Sequence, residues 1–171
     1  AHGIAEGDRV AGYMPNMPET VAAMLAASSI GAVWTSCSPD FGTDGALDRF
    51  GQTAPRLLFC PDGYWYNGKQ VDISEKMQII ASGLPSVEKV IVVPYLERAD
   101  AFAETVPKAV TLERFVDSFV ASELLFRRVG FNHPLFILYS SGTTGKPKCI
   151  VHGHGGTLLQ HLKEHQLHAD V

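Results

Sequence analysis

The chain has 171 residues, of which 46% are hydrophobic and 19% charged, and its formal net charge is −4. This composition is typical of a globular domain with its own core, and it excludes a disordered or collagen-like chain. The acidic balance includes no cluster of positive charge, so it predicts neither nucleic acid nor an anionic membrane as a partner.

Short apolar runs alternate with helical patterns through the first 94 residues. Continuous apolar strands joined by helices predict an α/β fold, with a mostly parallel sheet flanked by helices on both faces. Ligands of such sheets bind at the carboxyl ends of the strands. Thr43 and Asp44 are both suitable caps for the second helix. The predicted strands are 9–14, 32–38, 56–61 and 89–94, and the predicted helices are 19–30, 46–52 and 73–84.

Residues 95–130 interrupt this alternation. They are rich in charged residues and show no regular apolar pattern apart from a helical stretch at 111–120. We therefore interpret them as a surface excursion rather than a domain boundary. An apolar strand follows at 132–140, with Pro134 near its start, where a missing N–H is tolerated. A further strand is predicted at 148–153.

Cys37, Cys60 and Cys149 lie far apart and form no C-x-x-C pair. Their odd number predicts reduced thiols in a cytoplasmic protein. Cys149 follows a glycine-rich stretch, and we expect a small buried residue on a strand rather than a nucleophile. No apolar run approaches the roughly 20 residues of a membrane helix, and no signal peptide is visible.

The most informative stretch is YSSGTTGKPKCIVHGHGG, residues 139–156. Four hydroxyl residues, two glycines and two lysines follow an apolar strand, a combination that suits a polyphosphate. Glycines allow close backbone approach, N–H and hydroxyl groups donate hydrogen bonds, and lysines offset charge. The spacing is not that of a Walker A loop, because Pro147 follows Lys146. On composition alone a flexible surface turn is an equal alternative.

The stretch YSSGTTGKPKCIVHG resembles the phosphate-binding signature of the adenylate-forming superfamily, which includes acyl-CoA synthetases and luciferases. The resemblance extends over nearly the whole chain and is weakest at 95–130. Four segments, one of which includes this stretch, are similar to the branch of the superfamily that activates acetoacetate: SPDFGTDGALDRFGQ, YWYNGKQ, HPLFILYSSGTTGKPKCIVHG and GGTLLQHLKEH.

The resemblance implies that the complete protein is an ATP-dependent acid–thiol ligase. A small carboxylate attacks the α-phosphate of ATP, pyrophosphate leaves, and the thiol of CoA takes the acyl group from the adenylate. ATP, Mg²⁺ and CoA are the implied cofactors and cosubstrates. Acetoacetate is the favoured acid. Acetate or propionate is the first alternative, and a non-catalytic nucleotide-binding module is the second.

The resemblance also implies site residues. Lys69, in the segment YNGK, would contact a phosphate of CoA, and a solvated lysine in a turn is the alternative. The later motifs of the superfamily have no counterpart, so residues 1–171 are expected to be part of an N-terminal AMP-binding domain. The C-terminal domain and every catalytic residue would then lie outside this chain. The residues implied to bind the phosphates of ATP are Ser140, Ser141, Gly142, Thr143, Thr144, Gly145, Lys146 and Lys148.

Other polar clusters have simpler interpretations. His161, His165 and His168 would share one face of a helix, but no cysteine or carboxylate completes a metal site, and none is predicted. Asp40, Asp44 and Asp48 are expected to cap a helix or to pair with Arg49, rather than to act as acids or bases. Three aromatic residues are expected to pack in the core or at its rim, namely Trp34, Trp65 and Tyr66. The alternative for Trp65 and Tyr66 is that they help to shape a groove for CoA.

Overall fold

The computed structural model describes residues 2–140 and 145–171. The strands are β1 (Arg9–Tyr13), β2 (Val33–Cys37), β3 (Leu57–Pro61), β4 (Tyr64–Tyr66), β5 (Lys69–Val71), β6 (Lys89–Val93), β7 (Ala109–Thr111), β8 (Pro134–Tyr139) and β9 (Cys149–Gly153). The helices are α1 (Pro18–Ser29), α2 (Thr43–Thr53), α3 (Ser74–Gly83), α4 (Ala99–Thr105), α5 (Leu112–Val116) and α6 (His154–Glu164), which continues as a π-helical turn, His165–Ala169.

Seven strands form one sheet in the order β7-β6-β3-β1-β2-β8-β9, and β4 and β5 form a separate hairpin. Neighbouring strands of the large sheet run parallel except for β8 and β9. The carboxyl ends of the parallel strands therefore share one edge, and the glycine-rich loop follows β8 at that edge. The predicted α/β fold, with a mostly parallel sheet flanked by helices, is confirmed.

Each face of the sheet has its own core, because successive strand residues point to opposite sides. On the first face, Leu58 and Val90 pack with buried residues of α2, α3 and α4, including Phe50, Met77 and Phe102. This alternation explains why the strands read as continuous apolar runs in the sequence, since both of their faces are covered.

The second face is covered more thinly, by α1 and α5. Trp34 and Phe59 form its centre, with Phe115 of α5 packed against them. Helix α1 buries only Ala27 fully and leaves Leu25 58% exposed. No helix among the described residues is long and apolar enough to cross a membrane.

The prediction that residues 95–130 form a surface excursion is partly wrong, because a short strand within them, β7, belongs to the sheet. Strand β7 pairs in parallel with β6 and extends the edge of the sheet. Three residues are too few to show a strand period, so the sequence does not reveal this strand. The helix predicted at 111–120 is only the five residues of α5, with the hydroxyl of Thr111 accepting a bond from the N–H of Arg114. Residues 119–130 contain neither helix nor strand.

An ion-pair group lies at the amino-terminal edge of the sheet. The guanidinium of Arg56 is 2.6 Å from the carboxylate of Asp8 and 2.7 Å from that of Glu88. Burial raises the pKa of Asp8, but hydrogen bonds from Ala5 N–H and Arg56 lower it by more, so it lies below its usual value. The bonds from Arg56 likewise lower the pKa of Glu88. This group fixes β1, β3 and β6 to one another on the side away from the loop.

Candidate functional site

The described part of the glycine-rich loop is closed at its base by two hydrogen bonds. The N–H of Ser140 donates to the Lys148 carbonyl at 3.0 Å, and the N–H of Lys148 donates to Ser140 Oγ at 3.1 Å. Gly145 has a φ of 103°, a conformation that other residues rarely adopt. The remaining residues predicted to bind phosphate lie outside the described residues: Ser141, Gly142, Thr143 and Thr144.

Both lysines of the loop extend from the protein surface. Lys146 Nζ is 3.4 Å from Asp48 Oδ1 on α2, and 74% of the Lys146 side chain is exposed. Lys148 is also exposed. The Lys146–Asp48 pair is weak because water solvates both groups. An anionic ligand at the loop can therefore compete for Lys146.

The β4–β5 hairpin extends from the carboxyl edge just after β3. Asn67 and Gly68 form its two-residue turn with φ of 48° and 72°, which an Asn-Gly pair favours. Strand pairing sets Tyr66 opposite Lys69. Cross-strand partners lie on one face of a hairpin, so an aromatic ring and an exposed ammonium group are neighbours there.

The packing predicted for Trp65 and Tyr66 is wrong, and the alternative that they help to shape a CoA groove stays a prediction. Trp65 and Tyr66 are 52% and 65% exposed, whereas Trp34 is 4% exposed and lies in the core as expected. The cause is the hairpin, which turns the chain away from the sheet after Tyr64. Tyr64 is the only hairpin aromatic in the core of the first face.

Asp62 lies directly before the hairpin and is fully buried. Its carboxylate accepts hydrogen bonds from the backbone N–H groups of Tyr95 and Leu96 at 2.8 Å and of Arg98 at 2.7 Å. The Arg98 side chain in turn lies 3.3 Å from the carboxylate of Asp72, which follows the hairpin. Both ends of the hairpin are therefore attached to the loop after β6. The sequence shows only an Asp-Gly pair after a strand, and this pattern does not distinguish Asp62 from an ordinary turn residue.

The loop before α2 joins the hairpin to the centre of the sheet. The hydroxyl of Tyr13 donates to the carbonyl of Pro39 at 2.8 Å. Burial, followed by a hydrogen bond to Asp40, raises the pKa of Tyr64 to about 12. Tyr64 of the hairpin therefore lies close to Asp40, in the loop before α2, at the carboxyl edge.

Helix α2 begins differently from the prediction. Its N-cap is Gly42, with no side-chain cap, so neither Thr43 nor Asp44 has the predicted capping role. The guanidinium of Arg49 donates to the Gly45 carbonyl at 2.7 Å and lies 4.1 Å from the centre of the Phe41 ring. No carboxylate among the described residues pairs with Arg49. The guanidinium instead contacts the aromatic ring and the carbonyl oxygen.

All three cysteines are free, and Cys37 and Cys60 are buried. Burial raises the pKa of Cys37 to about 12 and also raises that of Cys60. Cys149 lies on a strand as predicted, but the prediction that it is buried is wrong, because β9 is the outermost strand of the sheet.

The histidines near the carboxyl end of the chain do not keep the spacing of one α-helix, because α6 passes into a π-helical turn at His165. Within residues 2–140 and 145–171, no group of three or more His, Cys, Asp or Glu side chains could hold a metal ion.

A parallel sheet with a hydroxyl-, glycine- and lysine-rich loop at its carboxyl edge defines a class of nucleotide-binding enzyme domains. The family described as AMP-binding enzyme matches residues 1–170, and the chain belongs to this family.

Within the family, acetoacetyl-CoA synthetases are among the relatives of high identity, as the sequence predicts. The acetoacetyl-coenzyme A synthetase of Rhizobium meliloti (strain 1021) is 58% identical over 171 residues, which are 100% of this chain and 26% of that protein. The acetoacetyl-CoA synthetase of Macaca fascicularis is 50% identical over 99% of this chain and 26% of its own length. The solved acetoacetyl-CoA synthetase from Streptomyces lividans superimposes with a TM-score of 0.89 at 44% identity, covering 99% of this chain and 25% of that one. The chain spans about a quarter of the length of the curated relatives it matches.

Proposed function

We propose that this chain is part of an ATP-dependent acid–thiol ligase that converts acetoacetate, ATP and CoA to acetoacetyl-CoA, AMP and pyrophosphate. The observation that carries the proposal is the similarity to acetoacetyl-CoA synthetases along the whole chain, the loop and the hairpin included. The reaction has two steps. The carboxylate displaces pyrophosphate from ATP to form an acyl-adenylate, and the CoA thiol then displaces AMP.

The first step has an electrostatic problem that the loop can solve. Acid and ATP are both anionic, and pyrophosphate gains charge as it leaves. A preorganised set of donors stabilises that charge where it develops. The exposed ammonium groups of Lys146 and Lys148 and the conformation of Gly145 suit this role. The complete set proposed to bind the phosphates is Ser140, Ser141, Gly142, Thr143, Thr144, Gly145, Lys146 and Lys148.

Mg²⁺ would reach this site with ATP, since no carboxylate cluster among the described residues could hold it alone. The ion would offset phosphate charge. The residues of this chain would act on the phosphates by hydrogen bonding and by the charge of the two lysines.

The hairpin has features that suit the binding of CoA, the substrate of the second step. We propose that Lys69 contacts a phosphate of CoA. The support is its exposed position beside the ring of Tyr66, where an ammonium group can meet a phosphate and an aromatic surface can meet a base. The hairpin and the loop both follow parallel strands, so they belong to the same edge of the sheet.

We further propose that residues 1–171 form part of an N-terminal AMP-binding domain of a cytoplasmic enzyme. The catalytic residues and most of the acyl pocket would be supplied by sequence beyond this quarter of the relatives' length. An acetate or propionate ligase would use the same loop chemistry. A non-catalytic binding module would use the loop without turnover.

The experiment is acid-dependent ATP–pyrophosphate exchange on the complete native protein, with acetoacetate and acetate compared side by side. Strong exchange with acetoacetate is expected. Exchange with acetate alone would keep the mechanism and overturn the substrate. Binding of ATP without exchange for either acid would favour the non-catalytic module.

A further inference from the structure

Helix α2 contacts the segment that leaves the glycine-rich loop. Gln52 Nε2 donates to the carbonyl of Pro147 at 2.8 Å, and Asp48 Oδ1 lies 3.4 Å from Lys146 Nζ. Residues four apart lie on the same face of a helix, so Asp48 and Gln52 present one surface to this segment. Pro147 is buried between the two lysines, although both lysines are exposed.

The same helix contacts the segment that enters the loop. The hydroxyl of Tyr139, the last residue of β8, lies 2.8 Å from that of Thr35 and 3.5 Å from that of Thr53 on α2. The guanidinium of Arg49 lies 5.8 Å from the centre of the Tyr139 ring. One helix therefore supports both ends of the loop.

Helix α2 is itself firmly held. Ala46 and Phe50 are fully buried in the core of the first face, against α3 and the sheet. Asp48 and Gln52, which meet the segment leaving the loop, lie on the other side of the helix and are partly or fully exposed, whereas Thr53, which meets Tyr139, is buried. A rigid element thus carries a polar surface toward the described segments on either side of the loop.

The amide of a glutamine suits this contact. The Pro147 carbonyl needs a donor, and Gln52 Nε2 has two N–H groups, one for Pro147 and one for the Asp48 carbonyl at 2.6 Å. A glutamate of the same size offers only acceptors and would repel both carbonyl oxygens. A methionine would fill the space without bonding.

We propose that Gln52 is a positioning residue for the loop and orders the Lys146–Lys148 segment before the nucleotide arrives. The assignment rests on the proposed role of the loop in ATP binding. Without Gln52, part of the free energy of ATP binding must be used to order this segment, so ATP binds more weakly. The expected result is therefore a higher KM for ATP, while kcat is largely kept.

The first test uses ATP–pyrophosphate exchange with the complete protein. Gln52→Met and Gln52→Glu should raise the KM for ATP about fivefold, with the larger effect in Gln52→Glu and with kcat within about twofold of the parent. Gln78→Met is the matched control, because Gln78 is an exposed helical glutamine on α3 and should leave both constants unchanged. An unchanged KM for ATP, or a loss confined to kcat, would overturn the proposal.

The second test needs no catalysis. Hydrogen exchange of the ATP-free protein should show faster exchange at the amides of Ser140 and Lys148 in Gln52→Met than in the parent or in Gln78→Met. Equal rates would overturn the positioning role whatever the activity. Faster exchange in a protein that shows no acid-dependent ATP–pyrophosphate exchange would support the positioning role and contradict the proposed function.

Discussion

Substitution of Lys69 should affect only the second of the two proposed half-reactions, the one that uses CoA. The ammonium group of Lys69 lies on the hairpin, and CoA takes no part in forming the adenylate. Lys69→Ala should therefore raise the KM for CoA about tenfold, the loss of one charge-assisted contact, and leave ATP–pyrophosphate exchange unchanged. Steady-state kinetics of both reactions in the complete protein measure this.

Lys89→Ala is the control for Lys69, because Lys89 is also exposed but begins β6 at the opposite edge of the sheet. A KM for CoA that is the same in Lys69→Ala and in the parent would remove the hairpin from the CoA site.

Among the polar residues of the described fold, Asp62 should be the one whose substitution lowers the free energy of unfolding most. Asp62→Asn replaces an acceptor of three backbone N–H bonds with a group that has one oxygen and an NH₂ facing the same donors. The free energy of unfolding should fall by about 3 kcal/mol. Urea denaturation checks this, with the exposed Asp117→Asn as a variant of equal charge change and little expected effect. A loss no greater than that of Asp117→Asn would show that the carboxylate does not hold the loop after β6.

The difference between Lys146 and Asp62 shows what the sequence reveals at this scale. Lys146 belongs to a local pattern of glycines, hydroxyls and lysines whose chemistry can be inferred from neighbours in the chain. Asp62 and Gln52 act on partners 33 to 95 residues away. Only the fold brings those partners together, so no spacing in the sequence marks these two residues.

Alanine substitutions at two glycines would test how closely a strand and a helix are packed against their neighbours. A Cβ at Gly12 in β1 would lie 2.6 Å from the Trp34 ring, whereas a Cβ at Gly51 in α2 would meet nothing within 4 Å. Gly12→Ala should therefore lower the free energy of unfolding by about 1–3 kcal/mol through overpacking. Gly51→Ala should raise it by about 0.5–1 kcal/mol through helix propensity.

Thermal or urea denaturation of the two glycine variants provides the measurement, and each serves as the control for the other. A destabilised Gly51→Ala would mean that this part of α2 is not a free helical surface. An unaltered Gly12→Ala would mean that Trp34 does not pack across β1.

At the scale of elements, long buried segments were predictable and short ones were not. The predicted strand at 89–94 and the helix at 73–84 match β6 and α3 within one residue at each end. The strand is a continuous apolar run, and the helix has apolar residues at helical spacing. Strand β7 and the two strands of the hairpin have three residues each and owe their existence to pairing partners elsewhere. Three residues are too few to show a strand pattern in the sequence.

The whole fold should become less stable in acid, in part through Arg56. The pKa values of Asp8 and Glu88 lie below their ordinary values of 3.8 and 4.5 in the folded state. Their contribution is therefore present above those ordinary values and is lost as the pH falls through the folded-state values. Arg56→Gln should lower stability at pH 7 and flatten its decline between about pH 5 and pH 2.

Urea denaturation at a series of pH values tests this. Arg114→Gln is the matched control, since Arg114 pairs with Asp100 at 3.1 Å with both side chains 73% exposed. The free energy of unfolding of Arg114→Gln should change with pH in the same way as that of the parent protein. A parallel profile for Arg56→Gln as well would show that the ion-pair group does not couple folding to protonation.

Residues 119–130 connect two parts of one sheet without adding a strand to it, and they expose Val120 and Leu125 at 93% and 82%. A protease with a preference for apolar residues should cut there first. The fragment carrying β8 and β9 would remain bound to the rest through the pairing of Trp34 with Phe136 and of Thr35 with Ile137. The loop would then lie on a different polypeptide from helix α2, and noncovalent contacts such as the bond from Gln52 to the Pro147 carbonyl would have to hold the two together.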